Sequence, residues 1–151
     1  MTYATINPYT GDTVATFPDA TDEEVKTALD KADAAFLSWR ETSFAERGRI
    51  LQNAADILRR DSDAFARLLT LEMGKLVAEA KAEVELSAKI FEYYVRHAED
   101  LLKPEKLPVL DPAEGEAMLV HEPLGVLLAI EPWNFPYYQI ARILAPQLSA
   151  G

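Results

Sequence analysis

The 151-residue sequence has a formal net charge of −10, 49% hydrophobic residues, no cysteine and two histidines. The hydrophobic content is enough for a packed core, whereas the acidic balance disfavours nucleic acid and anionic membranes, which attract basic surfaces. Without cysteine these residues supply no disulfide, zinc–thiolate site or thiol nucleophile, and His97 and His121 are too few for a histidine metal cluster, so we expect no metal.

Two further kinds of segment are not found in the sequence. No apolar run approaches the roughly 18 residues that a membrane-spanning helix needs. The N-terminal stretch MTYATINPYTG lacks the basic patch and apolar stretch of a secretory signal. We therefore expect a cytoplasmic protein without a membrane partner.

The first predicted elements are a β-hairpin and two capped helices. Short β-prone runs flank the turn-forming residues 7–12 and predict the hairpin. Thr21 with Glu24, and Ser43 with Glu46, form two capping boxes, in which hydroxyl and carboxylate each satisfy a free backbone N–H. These boxes predict where the first and second helices begin.

Two more helices follow, and all four carry an apolar stripe. The third is expected to end at Gly74 in a left-handed conformation, and the fourth to cover about residues 76–102. Apolar residues at helical spacing predict a helical core. The positions are Val25, Ala28, Leu29, Ala32, Phe36 and Trp39, then Leu51, Ala54, Ala55 and Leu58, then Phe65, Leu68 and Leu69, then Val77, Ala80, Val84, Phe91, Val95, Ala98 and Leu102. The acidic residues of the fourth helix are expected on a solvated surface, namely Glu83, Glu85, Glu92, Glu99 and Asp100.

The sequence changes character at Pro104, because seven of its nine prolines fall between this residue and Pro146. Residues 107–110 and 116–121 are predicted to be short strands. Residues 125–130, GVLLAI, form an uninterrupted apolar run, typical of a strand covered on both faces in a parallel sheet.

A helix is expected from about Pro136, since proline suits the first helical position, and Gly151 stands where its cap would be. A parallel strand needs a neighbour that returns through the crossover helix. We therefore expect the chain to be cut within an α/β domain. The chain is predicted to have three parts: a hairpin with helices (residues 1–103), the strands of a bridging element (104–123), and a strand, loop and helix (124–151).

The loop between the apolar run and the last helix is the candidate site. In open α/β sheets, ligands bind beyond the carboxyl ends of the strands. Pro132 fixes its own φ and Pro136 restricts Phe135, so Asn134 has little freedom. Its amide can donate a hydrogen bond without titrating, which suits the stabilisation of an oxyanion. The alternative is that Asn134 caps the following helix.

Other candidate sites are weaker. None of the six glycines forms a G-x-G-x-x-G motif or a P-loop. Glu72 and Lys75 resemble an acid–base pair, but the end of a helix explains them more simply. Glu131, the first residue of the loop, is not assigned as a base.

Several motifs together resemble the aldehyde dehydrogenase superfamily. P-W-N-F-P follows a short apolar run, and A-P-x-L-x-A-G occupies residues 145–151. Upstream, INPYTGDTVATFP, LEMGK followed by Ala78-Glu79-Ala80, and EPLGVLLAIEPWNFP agree with the same family. The resemblance covers essentially the whole chain as the family's N-terminal portion, and it is strongest to bacterial succinate-semialdehyde dehydrogenases. It implies an α/β fold in which a hairpin and helices lead into the first strand–loop–helix of a Rossmann-like parallel sheet, incomplete here.

The resemblance also implies a reaction, the oxidation of an aldehyde to an acid with NAD or NADP. In the family a cysteine attacks the aldehyde, a hydride passes to the nicotinamide, and a glutamate base assists hydrolysis of the thioester. Asn134 matches the asparagine that donates to the oxyanion, and Ile130, Trp133 and Asn134 match residues that lie against the dinucleotide. Family members usually form homo-oligomers.

One substrate hypothesis follows from the succinate-semialdehyde resemblance. Gln139 and Arg142 are spaced i, i+3 on one helix face just after the loop. Arginine can bind a carboxylate through two parallel hydrogen bonds, so this pair would hold the distal carboxylate of succinate semialdehyde. The alternative is that Arg142 is only a surface charge.

The cysteine, the glutamate base and the glycine-rich cofactor turn of the family are missing from these residues. The 151-residue polypeptide alone is therefore predicted to be inactive, as the N-terminal part of a dehydrogenase. The alternatives are a non-catalytic binding or oligomerisation module and one half of a split enzyme. The residues that would distinguish NAD from NADP are expected after residue 151.

Overall fold

The computed structural model describes residues 3–111, 113 and 115–151. Strands β1 (Tyr3–Ile6) and β2 (Thr13–Phe17) pair antiparallel and form the predicted hairpin. Gly11 has a φ of 79° in the connecting turn, a conformation that glycine adopts without steric cost.

Helices α1 (Asp22–Trp39) and α2 (Phe44–Arg60) begin at the two predicted capping boxes. At the first, Thr21 Oγ1 accepts from the Glu24 N–H at 3.2 Å and Glu24 Oε2 accepts from the Thr21 N–H at 2.8 Å. The same reciprocal pair joins Ser43 and Glu46. Both predicted helix starts are confirmed.

Helices α3 (Ser62–Met73) and α4 (Val77–Leu101) are also as predicted. Gly74 follows α3 with φ 70° and ψ 18°, the left-handed cap expected for it. This turn allows α4 to begin three residues later and to run back across the other helices.

The region after α4 contains two short strands, β3 (Glu105–Leu107) and β4 (Ala117–Leu119), which pair antiparallel. The predicted strand at 107–110 is wrong except for Leu107. Pro108 has no N–H to donate to a ladder, so the pairing stops before it. The second strand lies within the predicted residues 116–121 but is shorter.

Residues 125–130 do not form the predicted strand in the part of the chain that the structure describes. A strand is defined by hydrogen bonds to a neighbour, and no described segment pairs with these residues. The final helix, α5 (Pro136–Ala150), begins at Pro136, and Gly151 is the residue that caps its C-terminal end, as predicted.

Helix α4 forms the centre of the packing, since α2, α3 and α5 all lie against it. Alanines dominate the contacts and allow the helix axes to approach closely. The main cluster consists of Leu51, Ala55, Ala88, Phe91, Ala141 and Ala145, and a second cluster consists of Ala66, Leu69 and Ala80. Because α5 shares its core with α2 and α4, residues 124–151 pack directly on the N-terminal helices. The three-part division of the chain remains a prediction.

The predicted core stripe of α1 is only partly correct, because no residue of this helix is buried. Val25 and Leu29 are 49% and 57% exposed, and Ala28 is exposed as well. Helix α1 attaches through its C-terminal end, where Trp39 Nε1 donates to the Leu148 carbonyl at 3.0 Å. Two other predicted core residues, Leu68 and Val77, are also exposed. No described helix is long and apolar enough to cross a membrane.

Candidate active-site loop

The candidate loop, residues 131–135, leads directly into α5. Asn134 is exposed, and its side-chain amide makes no hydrogen bond to any residue that the structure describes. The residue that precedes α5 is Phe135, and no side chain at this position caps the helix. The alternative role of Asn134 as a helix cap is therefore wrong, and its amide is available to an external acceptor.

A carboxylate from another helix supplies the missing cap. Glu83 of α4 accepts through Oε1 from the Tyr137 N–H at 3.0 Å and from the Tyr138 N–H at 3.3 Å. Pro136, the first residue of α5, has no N–H to satisfy. A negative charge at this end also interacts favourably with the helix dipole. Helix α4 thus determines where α5 begins.

Glu83 was expected on a solvated surface, and this expectation is wrong, because the residue is 3% exposed. Its position between Ala80 and Ser87 turns it toward the core side of α4. Two of the other acidic residues, Glu85 and Glu92, bind Arg59 of α2, whereas Glu99 and Asp100 are exposed as expected.

Lys75 is the counter-ion of Glu83. The two side chains form an ion pair in which the lysine is 10% exposed and the glutamate 1%. The Lys75 ammonium also lies 3.4 Å from the Asn134 carbonyl oxygen and 3.6 Å from the centroid of the Phe135 ring. It therefore contacts the loop through a backbone acceptor and a cation–π interaction. Lys75 was expected only to mark the end of a helix, and its contact with the loop was not predicted.

Tyr137 joins the start of α5 to α3. Its ring packs edge-on against Phe65 with centroids 5.3 Å apart, and its hydroxyl donates to the Phe65 carbonyl at 3.5 Å. Burial raises the pKa of Tyr137, and the negative charges of Glu72 and Glu83 raise it further. Beside it, a cavity of about 400 Å³ lies between β1, α3 and Trp133 of the loop.

The residues proposed for substrate binding lie together on α5. Arg142 Nη1 donates to Gln139 Oε1 at 3.5 Å, and the guanidinium lies 5.6 Å from the centroid of the Tyr138 ring. Arg142 is exposed and Gln139 is half-buried. The predicted spacing does place the two side chains on one face, with the guanidinium open to solvent.

The residues proposed for cofactor binding are among the most exposed apolar side chains. Ile130 is 88% exposed and Trp133 is 79% exposed. Both side chains are therefore accessible to a ligand. The same residues offer no cradle for the phosphates of a dinucleotide.

The loop was thus predicted from the sequence, but the contacts that Glu83 and Lys75 make with it and with the start of α5 were not. The sequence did contain a pattern that predicts burial of Glu83, since this residue lies next to Val84 in a stripe of small and apolar residues that includes Ala80 and Ala88. No comparable pattern marked Lys75, whose position depends on the turn at Gly74 and on the approach of α4 and the loop.

The chain matches known sequences along its whole length. The sequence model of the aldehyde dehydrogenase family matches residues 1–151. The succinate-semialdehyde dehydrogenase (NADP+) of Deinococcus radiodurans is 46% identical over 149 residues, which are 99% of this chain and 31% of the relative. A relative of the same name from Mycobacterium tuberculosis is 48% identical over 151 residues, 100% of this chain and 33% of the relative. The chain therefore spans about a third of the length of these curated relatives.

Solved structures give the same result. Succinic semialdehyde dehydrogenase from Streptococcus pyogenes, in complex with NADP+, superimposes with a TM-score of 0.92 at 41% identity, over 99% of this chain and 32% of that one. Betaine aldehyde dehydrogenase from Staphylococcus aureus, in complex with NAD+, superimposes with a TM-score of 0.90 at 33% identity, over 99% of this chain and 30% of that one. The α/β fold class predicted from the sequence is confirmed by these matches.

Proposed function

Because this chain belongs to the aldehyde dehydrogenase family, we propose that it forms part of an enzyme that oxidises an aldehyde to a carboxylic acid with NAD or NADP. One observation carries the proposal. The Asn134 amide is exposed and unbonded among the described residues, on a loop whose backbone contacts the buried Lys75–Glu83 pair. A fixed donor of this kind stabilises the oxyanion that develops as a carbonyl becomes tetrahedral.

The remaining catalytic groups would come from residues other than these 151. The sequence contains no cysteine, so it supplies no thiol to attack the aldehyde. Asn134 polarises a carbonyl but forms no covalent intermediate. We therefore expect the 151-residue polypeptide by itself to have no dehydrogenase activity, as the sequence analysis predicted.

The cofactor would lie against the loop and the segment before it. Ile130 and Trp133 offer exposed apolar surface, and Asn134 lies beside them in the chain. When bound, NAD or NADP supplies the acceptor for the hydride. The names of the relatives favour NADP, although both cofactors occur in the matched structures.

Succinate semialdehyde is the proposed substrate. Several relatives carry its name, and Arg142 presents an exposed guanidinium on α5 within 3.5 Å of Gln139. Its planar fork matches the geometry of a distal carboxylate. The alternative, a surface charge without a ligand, predicts no selectivity for charged aldehydes.

Replacement of Asn134 tests the oxyanion role. In the native polypeptide that contains this sequence, Asn134→Ala should lower kcat by about 10²–10³ while the fold is unchanged, because the exposed amide makes no hydrogen bond among the described residues. Asn53→Ala, at an exposed position of α2, is the matched control. An unchanged kcat in Asn134→Ala would contradict the proposal.

Replacement of Arg142 tests the substrate. Arg142→Leu should raise KM for succinate semialdehyde far more than KM for an uncharged aldehyde of similar length. Arg96→Leu, at an exposed position of α4, controls for the loss of a surface charge. Equal effects of Arg142→Leu on both aldehydes would remove this assignment.

The intact mass of the native polypeptide separates this proposal from its alternatives. A mass several times 16.8 kDa is expected for an enzyme that includes the chain. A mass near 16.8 kDa with a copurifying partner would favour a split enzyme, and without one a non-catalytic binding module. Homo-oligomer formation and a cytoplasmic location remain predictions.

A further inference from the structure

The start of α5 and the loop before it are held by two charged residues outside the loop, the buried Glu83 and the partly buried Lys75. We propose that Glu83 and Lys75 are positioning residues for Asn134, and that they hold its amide where an oxyanion forms. This inference rests on the proposed function. It adds two residues that act through Asn134 without touching the substrate.

Glu83 fixes the helix end of the loop. Its Oε1 accepts from two consecutive backbone N–H groups, those of Tyr137 and Tyr138, at 3.0 and 3.3 Å. The first of these residues is three positions after Asn134. Since Glu83 belongs to the central helix α4 and is 3% exposed, its own position is set by core packing.

Lys75 fixes the loop at Asn134 itself. Its ammonium lies 3.4 Å from the Asn134 carbonyl oxygen and 3.6 Å from the Phe135 ring centroid. The first contact restrains the backbone and the second restrains the Phe135 side chain, and both leave the Asn134 side chain unbonded among the described residues. The amide is thus held in place and still free to donate.

The two residues depend on each other, because each charge needs the other in a nearly dry site. The Glu83 side chain is 1% exposed and that of Lys75 is 10% exposed. An unpaired charge at this depth would be strongly unfavourable, so the loss of either partner should weaken the contacts through which the other holds the loop or α5. One ion pair thereby joins α4, the turn after α3 and the loop.

The kinetic test compares Glu83→Gln in two backgrounds of the native polypeptide. Gln keeps the size and one acceptor oxygen of Glu83 but loses the charge that binds Lys75. A donor displaced by about 1 Å costs up to 10²-fold in rate, so kcat should fall by about 10- to 10²-fold while KM changes little. In an Asn134→Ala background the same substitution should change kcat by less than about twofold, because no donor remains to be positioned.

A purely structural role would give a different result. Loss of folded enzyme would lower activity by the same factor with or without Asn134, and that outcome would overturn the proposal. The double variant Lys75→Met, Glu83→Gln buries no unpaired charge, so it has the same kinetic expectation and serves if Glu83→Gln alone does not fold. Glu79→Gln, at an exposed position one turn earlier on α4, is the matched control and should leave kcat unchanged.

Amide hydrogen exchange gives a readout that does not depend on aldehyde oxidation. Glu83→Gln should speed exchange of the Tyr137 and Tyr138 amides relative to the unmodified protein and to Glu79→Gln. If the unmodified protein oxidises no aldehyde, the proposed function fails while this measurement still tests the restraint. Unchanged exchange at both amides would overturn the positioning role, whatever the kinetics.

Discussion

Lys75→Met should destabilise the fold far more than the loss of a surface lysine. The substitution leaves the Glu83 carboxylate, 1% exposed, without its counter-ion. Removal of one partner from a buried ion pair typically costs about 3–5 kcal/mol. Because Glu83 keeps two backbone donors, we expect the lower end of this range, about 3 kcal/mol. Lys26→Met, which breaks an exposed pair with Asp30, should cost less than about 1 kcal/mol.

Equilibrium urea unfolding of the 151-residue chain at low protein concentration measures the loss of unfolding free energy in each of the two variants. Circular dichroism and tryptophan fluorescence detect the transition. The unfolding midpoint should fall in Lys75→Met while the denaturant slope stays constant. The double variant Lys75→Met, Glu83→Gln should be more stable than Lys75→Met alone, since it buries no unpaired charge. Equal losses for Lys75→Met and Lys26→Met would refute the assignment of a buried pair.

Three further outcomes are expected. Gly74→Ala should cost about 1–2 kcal/mol in urea unfolding because its φ is 70°, and more than Gly11→Ala, since only at Gly74 would the new Cβ lie within 3.2 Å of a proline side chain. Burial raises the pKa of Tyr137 in the folded state, and the charge of Glu72 raises it further. The neutral phenol therefore contributes to the free energy of unfolding in full below the unfolded pKa of about 10, and this contribution is lost as pH rises through the higher folded pKa. Tyrosinate absorbance should show this late titration, and Glu72→Gln should move it to lower pH. The isolated chain should bind a hydrophobic dye and self-associate through the apolar segment around Leu128, which is 88% exposed, and Leu128→Lys should reduce both.

Local sequence signals predicted the helix boundaries well, because the interactions behind them are local. Each capping box involves residues three positions apart, so the boxes at Thr21–Glu24 and Ser43–Glu46 can form whatever the tertiary contacts of the helix are. The left-handed cap at Gly74 is local in the same sense. These signals require no knowledge of tertiary contacts.

The errors arose where structure depends on partners distant in sequence. Residues 125–130 have the composition of a buried strand, but a strand needs a neighbour to share its hydrogen bonds. The stripe of α1 has the periodicity of a core face, yet Val25 and Leu29 remain 49% and 57% exposed, and no residue of this helix is buried. Periodicity identifies a face that can be buried, and packing decides whether it is.

Burial also depends on packing for Glu83, in the candidate site. Its acidic side chain predicted a solvent-exposed position, whereas its place beside Val84, between Ala80 and Ser87, put it on the buried side of α4. A carboxylate in such a stripe must find donors, and two of the three that Glu83 finds are backbone N–H groups at the start of α5. The third donor, Lys75, extends the restraint to the Asn134 carbonyl. A charged residue inside an apolar stripe therefore indicates a buried, paired site, and here that site adjoins the loop that carries the proposed oxyanion donor.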